Sequence, residues 1–106
     1  MINYTTPTIS LTVEGVDLTG QDVYVSLAQG AVELTKTGED LTITHEEDDT
    51  KIIFQLSQDE SAVFKFNSSV SVQVNWISVA GVRSATEIKS IPVMKNLLDE
   101  VIAYGD

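Results

Sequence analysis

The residues best equipped for chemistry gather in one short stretch, His45-Glu46-Glu47-Asp48-Asp49. It joins the chain's single histidine to four carboxylates, groups that hold cations or move protons. The spacing argues against both uses. The D-x-[DN]-x-[DN]-G calcium loop with a later glutamate is absent, and one histidine cannot form a two-histidine metal site. The chain has no cysteine, which removes thiolate nucleophiles and cysteine-based zinc sites. It has no G-x-S-x-G elbow, no Walker loop and no G-x-G-x-x-G turn. Among sixteen acids some pair always lies close, so a glycosidase-like carboxylate pair has no specificity here. The sequence therefore predicts no enzyme: no catalytic residue, no cofactor and no metal ligand. The acidic run reads as a solvated turn.

What remains is surface. Met94, Leu97, Leu98, Val101 and Ile102 stand at i, i+3, i+4, i+7 and i+8, one stripe of an amphipathic helix. Pro92 suits the start of such a helix and Gly105 its end. The stripe must bury itself, either back on its own domain or on another subunit. Gln73 and Asn75 lie on the polar side of an alternating segment, where amides can bond across a contact without the cost of burying a charge. Met94, Leu97, Leu98, Val101, Ile102, Gln73 and Asn75 are thus the candidate interface. A rival is a sugar-binding face built from Tyr24, Gln55, Gln73 and Asn75, if their strands adjoin. It calls for an exposed aromatic, Tyr24 or Tyr4, beside amides in a shallow groove, and nothing else in the sequence supports carbohydrate.

The elements that must position these residues are strands. Residues 70–78 alternate with period two: Val70, Val72, Val74 and Trp76 on one side, Ser71, Gln73 and Asn75 on the other. The only tryptophan enters the core here. Further strands are expected at 8–13, 22–28, 31–35, 41–45, 50–56 and 83–91, with a short one at 63–66 and broken alternation around 88–91. Gln29-Gly30 reads as a two-residue hairpin loop. Ser57-Gln58-Asp59-Glu60 matches a capping box, which predicts one helical turn near 57–62. Turns recur every eight to twelve residues or so, and no long helix separates the strands. The expected fold is mainly β: a single antiparallel sandwich over residues 1–93, immunoglobulin-like in architecture but without paired cysteines, followed by a C-terminal amphipathic helix within 94–106.

The totals agree with one small domain. The chain has 106 residues and a net charge of −10. Such an acidic surface repels phosphate backbones and anionic lipid, so nucleic acid and membrane are not expected partners. The first residues lack a basic and an apolar signal region, and no apolar run approaches the roughly 18 residues of a membrane span. A chain made in the cytoplasm is expected.

Several segments taken in order look familiar: Val23-Tyr24-Val25-Ser26-Leu27 with Gln29-Gly30, Glu33-Leu34-Thr35-Lys36, Leu56-Ser57-Gln58-Asp59-Glu60, Val72-Gln73-Val74-Asn75-Trp76, Gly81-Val82-Arg83 and Asn96-Leu97-Leu98-Asp99-Glu100. Together they resemble small structural proteins encoded among the tail and baseplate genes of phages and prophages of Gram-positive bacteria. The resemblance runs from about Val23 to Ile102 and consists of strand and turn signatures. It implies a non-enzymatic sandwich that assembles with copies of itself or with other virion proteins, made in the host cytoplasm and carried in the virion. It brings no catalytic residues with it.

Overall fold

Alternating apolar positions become eight strands. The structure, a computed structural model, describes residues 1–103. Along the chain run β1 (Thr8–Val13), β2 (Asp22–Gln29), β3 (Val32–Thr37), a 3₁₀ turn (Gly38–Asp40), β4 (Thr42–Glu46), β5 (Asp49–Gln55), helix α1 (Gln58–Ala62), β6 (Ser69–Ile77), β7 (Arg83–Ala85) and β8 (Lys89–Pro92). They form two antiparallel sheets. One has the order β1-β5-β4; the other has the order β3-β2-β6-β7, with β8 also on β6. The hairpins β2–β3, β4–β5 and β6–β7 each stay within one sheet, while the β1–β2, β3–β4 and β5–β6 connections pass from one sheet to the other. The β2–β3 loop is Gly30-Ala31, one residue later than the sequence predicts, because Gln29 pairs with Val32 and the glycine takes the positive φ of 59°.

The core lies between the sheets. Ile9, Val13, Ile52 and Phe54 come from the first sheet; Val23, Val25, Leu27, Val70, Val72 and Val74 come from the second, every one at an alternate position. Trp76 is only partly buried at the margin of this cluster, and the largest fully buried side chain is Phe64. The expected strand at 63–66 does not form. Val63 instead caps α1 in helical conformation, and Phe64 N–H bonds to the Ser61 carbonyl. The tightened last turn drops the Phe64 ring into the core.

Two polar devices hold the ends of the sandwich. Thr50 is fully buried, and its hydroxyl accepts from Leu18 N–H (3.0 Å) and donates to the Val16 carbonyl (2.6 Å), fixing the β1–β2 connection. The capping box forms as its sequence predicts: Glu60 N–H donates to Ser57 Oγ (3.1 Å) and Ser57 N–H donates to the Glu60 carboxylate (2.9 Å). Lys36 then ion-pairs with Glu60 at 2.8 Å, tying α1 to β3.

The expected single strand at 83–91 is broken by a bulge. Asn75 pairs with Ala85 and Val72 with Lys89, so Gln73 and Val74 face three residues, Thr86 to Ile88. Thr86 stabilises the insertion. Its N–H donates to the Val74 carbonyl (2.9 Å), its Oγ1 accepts from Val74 N–H (3.1 Å), and its carbonyl accepts from Gln73 Nε2 (3.0 Å). The extra residue explains why the alternation falters.

No C-terminal helix forms among the described residues. Residues 94–103 form an extended, turning strap, and Pro92 ends β8 rather than starting a helix. The physical reason is competition for the backbone. Met94 N–H bonds to the Met1 carbonyl (2.7 Å), Asn96 N–H to Asn3 Oδ1 (3.0 Å) and Ile102 N–H to Gln58 Oε1 (2.8 Å). The Asn96 side chain takes Leu98 N–H (3.1 Å), a local bond that displaces a helical one. A segment this short has too little intrinsic helicity to win without a packed face. The proposed helix end, Gly105, lies outside the described residues.

Candidate functional site

The strap lies on its own subunit by backbone and offers its side chains outward. Two amide groups anchor it. Asn3, itself buried, accepts from Asn96 N–H through Oδ1, and its carbonyl accepts from Asn96 Nδ2 (3.2 Å). Further on, Gln58 Nε2 donates to the Ile102 carbonyl (3.0 Å) while Gln58 Oε1 accepts from Ile102 N–H, so one side chain mimics a β-bridge partner. Gln29 clamps the 65–68 loop in the same manner, accepting from Lys65 N–H (2.6 Å) and donating to the Lys65 carbonyl (2.8 Å). Lys95 Nζ sits 5.5 Å from the centre of the Phe66 ring, a cation–π contact between the strap and the α1–β6 loop.

Every apolar residue of the predicted stripe is exposed: Met94 60%, Leu97 93%, Leu98 48%, Val101 46% and Ile102 58%. Ile2, Val63 and Phe66 are exposed on the segments that hold the strap. Eight of the twelve exposed large apolar side chains among the described residues therefore belong to the strap or its supports. Lys65, Lys95, Asp59, Asp99 and Glu100 are exposed along the same segments, so both signs of charge occur there although the chain carries −10.

Gln73 and Asn75 do not join this surface. They lie on the outer face of the larger sheet, further along β6 from the Ser69 end that β8 leaves for the strap. Gln73 is committed to the bulge through its bond to Thr86. Asn75 stands directly across from Tyr24 on β2, and its Oδ1 accepts from Arg83 Nη2 (3.2 Å). Tyr24 is 41% exposed and lines, with Asn75 and Arg83, a shallow groove of about 430 Å³. Gln55 belongs to the other sheet, where its side chain bonds to the Thr6 carbonyl, so the four-residue sugar face reduces to Tyr24 and Asn75. Tyr4 is partly buried and lines a separate hollow of about 300 Å³ beside Asn3 and Lys95.

The acidic run is the β4–β5 hairpin turn, with Glu47 at a positive φ of 54°. Among the described residues no group of three or more histidine, aspartate or glutamate side chains is placed to hold a metal ion. His45 Nδ1 lies 3.7 Å from Asp17, whose carboxyl is held below the usual aspartate value chiefly by the Thr19 hydroxyl and backbone N–H. No helix among the described residues is long and apolar enough to cross a membrane. Compared with known proteins, the chain matches no family model and no curated sequence.

Arg83, Gln58 and Asn3 were not among the expected site residues. Arg83 is the only arginine of an acidic chain, a signal visible in the sequence. Gln58 and Asn3 gave none, because their partners lie 44 and 93 residues away.

Proposed function

We propose that this protein is a non-enzymatic assembly subunit that docks on a second copy of itself through the strap, and that it serves as a structural component of a phage or prophage virion. Its fold is an immunoglobulin-like sandwich: the order β1-β5-β4 against β3-β2-β6-β7 matches strands B-E-D and C′-C-F-G of that architecture. The observation that carries the reading is the exposed apolar row from Met94 to Ile102, on a backbone already satisfied by its own subunit. A stable interface takes about 800 Å² from each partner, and eight large side chains at these exposures offer an area of that order. A second copy is the fitting occupant. A twofold contact brings each residue's surroundings against their own image, so Lys65 and Lys95 of one copy can meet Asp99 and Glu100 of the other. Elsewhere two copies of a −10 chain repel. The virion assignment rests on the resemblance of segments from Val23 to Ile102. Sedimentation over a concentration series tests the docking: the protein is expected to associate, and Leu98→Asp to shift it towards monomer with the fold intact. A strict monomer at high concentration overturns it.

A second reading is favoured by Tyr24. An exposed aromatic directly across from an amide, in a shallow groove, is the arrangement a saccharide- or receptor-binding face requires. Binding of a glycan with shifts confined to β2, β6 and β7 amides supports it; silence across a glycan panel removes it.

A further inference from the structure

The second reading leaves open what kind of sugar the face takes, and Arg83 supplies a chemistry. It is the only arginine, in a chain with sixteen acids, and it lies on the outer face of the larger sheet. Its guanidinium is oriented by one bond to Asn75, and among the described residues that is one of its five donors engaged. Among the described residues the ion pairs are Lys36–Glu60 and His45–Asp17, so no described carboxylate neutralises it. No carboxylate lines the groove either; its polar residues are Ser26, Thr35, Asn75, Tyr24 and Arg83. By register Asp22 shares a row with Arg83, but Ile77 stands between them. The bulge at Thr86 interrupts the edge immediately beyond Ala85, and bulges re-aim neighbouring side chains.

We infer that the Tyr24–Asn75–Arg83 groove binds a carboxylate-bearing saccharide of the uronic-acid type. Its ring lies against Tyr24, its hydroxyls bond Asn75, Ser26 and Thr35, and its carboxylate takes the fork of Arg83. The complementarity is local. Approach is disfavoured by a net charge of −10, so an anion settles only where a fixed cation stands without a carboxylate beside it. The inference rests on the second reading and is independent of the strap.

Amide NMR shifts of the full chain, titrated with tetragalacturonate, its methyl ester and acetate, test it. The expected result is saturable movement of the Tyr24, Asn75 and Arg83 amides with tetragalacturonate, roughly tenfold weaker binding by the ester, and no saturation with acetate. Arg83→Gln is expected to weaken the acid form about tenfold and leave the ester unchanged, with dispersed spectra showing an intact fold. Tyr24→Ala is expected to weaken both. Equal binding of ester and acid overturns the carboxylate assignment while sparing the sugar face. No binding of either at millimolar concentration overturns both, and saturable acetate binding reduces the groove to an anion site and overturns the saccharide.

Discussion

Replacing Gln58 by alanine removes the clamp on Ile102 and nothing else in the core, because Gln58 is the first residue of α1 and its side chain bonds outward to the strap. Two hydrogen bonds are lost, at 2.8 and 3.0 Å, both at the surface. Such bonds contribute about 0.5–1.5 kcal/mol each, and solvent replaces part of that, so the strap's opening becomes easier by roughly 1–2 kcal/mol. Hydrogen exchange at the Ile102 amide is then expected to quicken by about 5- to 30-fold. Exchange in β2 and β6 is expected to stay the same, since no core contact changes. Alanine at the helix start is at least as good a helix former as glutamine, so α1 persists. A C-terminal helix gives the opposite result: Ile102 N–H would be held by the Leu98 carbonyl, four residues back, and would ignore Gln58. Unchanged exchange at Ile102 in Gln58→Ala would therefore refute the strap.

Three further outcomes follow from buried or bridging polar groups. Thr50→Val keeps the shape but orphans Leu18 N–H, and urea unfolding is expected to show a loss of about 1–3 kcal/mol; a neutral effect contradicts the staple. Thr86→Val removes the acceptor for Val74 N–H at the bulge and is expected to cost a similar roughly 1–3 kcal/mol by the same measurement. Burial raises the Glu60 carboxyl, but bonds from Lys36 and Ser57 outweigh it and leave it below the usual glutamate value. A depressed folded value means this contribution is present above the unfolded value and fades as pH falls through the folded one. The stability difference between wild type and Lys36→Met, about 1 kcal/mol or less, is thus expected at pH 7 and to shrink progressively once the pH falls below the usual glutamate range; a difference that grows on acidification reverses the sign and refutes it.

Most strands were legible because period-two alternation depends only on neighbours in sequence: β1 is found at 8–13 as expected, and β2 to β6 shift by a residue or two, whereas the expected strand at 83–91 splits at the bulge and the one at 63–66 does not form. The Ser57 capping box was legible for the same reason, all its partners lying within four residues. Phe64 was misplaced because a helix C-terminus, not a strand, delivers it. The strap was misread because its i, i+3, i+4 spacing is helical, whereas the groups that hold it, Asn3 and Gln58, sit far away in the chain. On the sheet face, Tyr24 and Asn75 could be named from alternation, but their pairing depends on β2 adjoining β6. Gln55 shows the converse, a plausible face residue that topology sends to the other sheet.

The central claim is that copies meet at the strap, and the absence of cysteine permits a direct measurement. Leu97→Cys places a single thiol at the 93%-exposed centre of the row, and Val79→Cys places one at a 99%-exposed control position in the β6–β7 connection. Under mild oxidation, at concentrations where the wild type associates, Leu97→Cys is expected to yield a disulfide-linked dimer on a non-reducing gel much faster than Val79→Cys. Equal rates of linkage at the two positions would mean that the copies collide at random, and the strap would not be an interface.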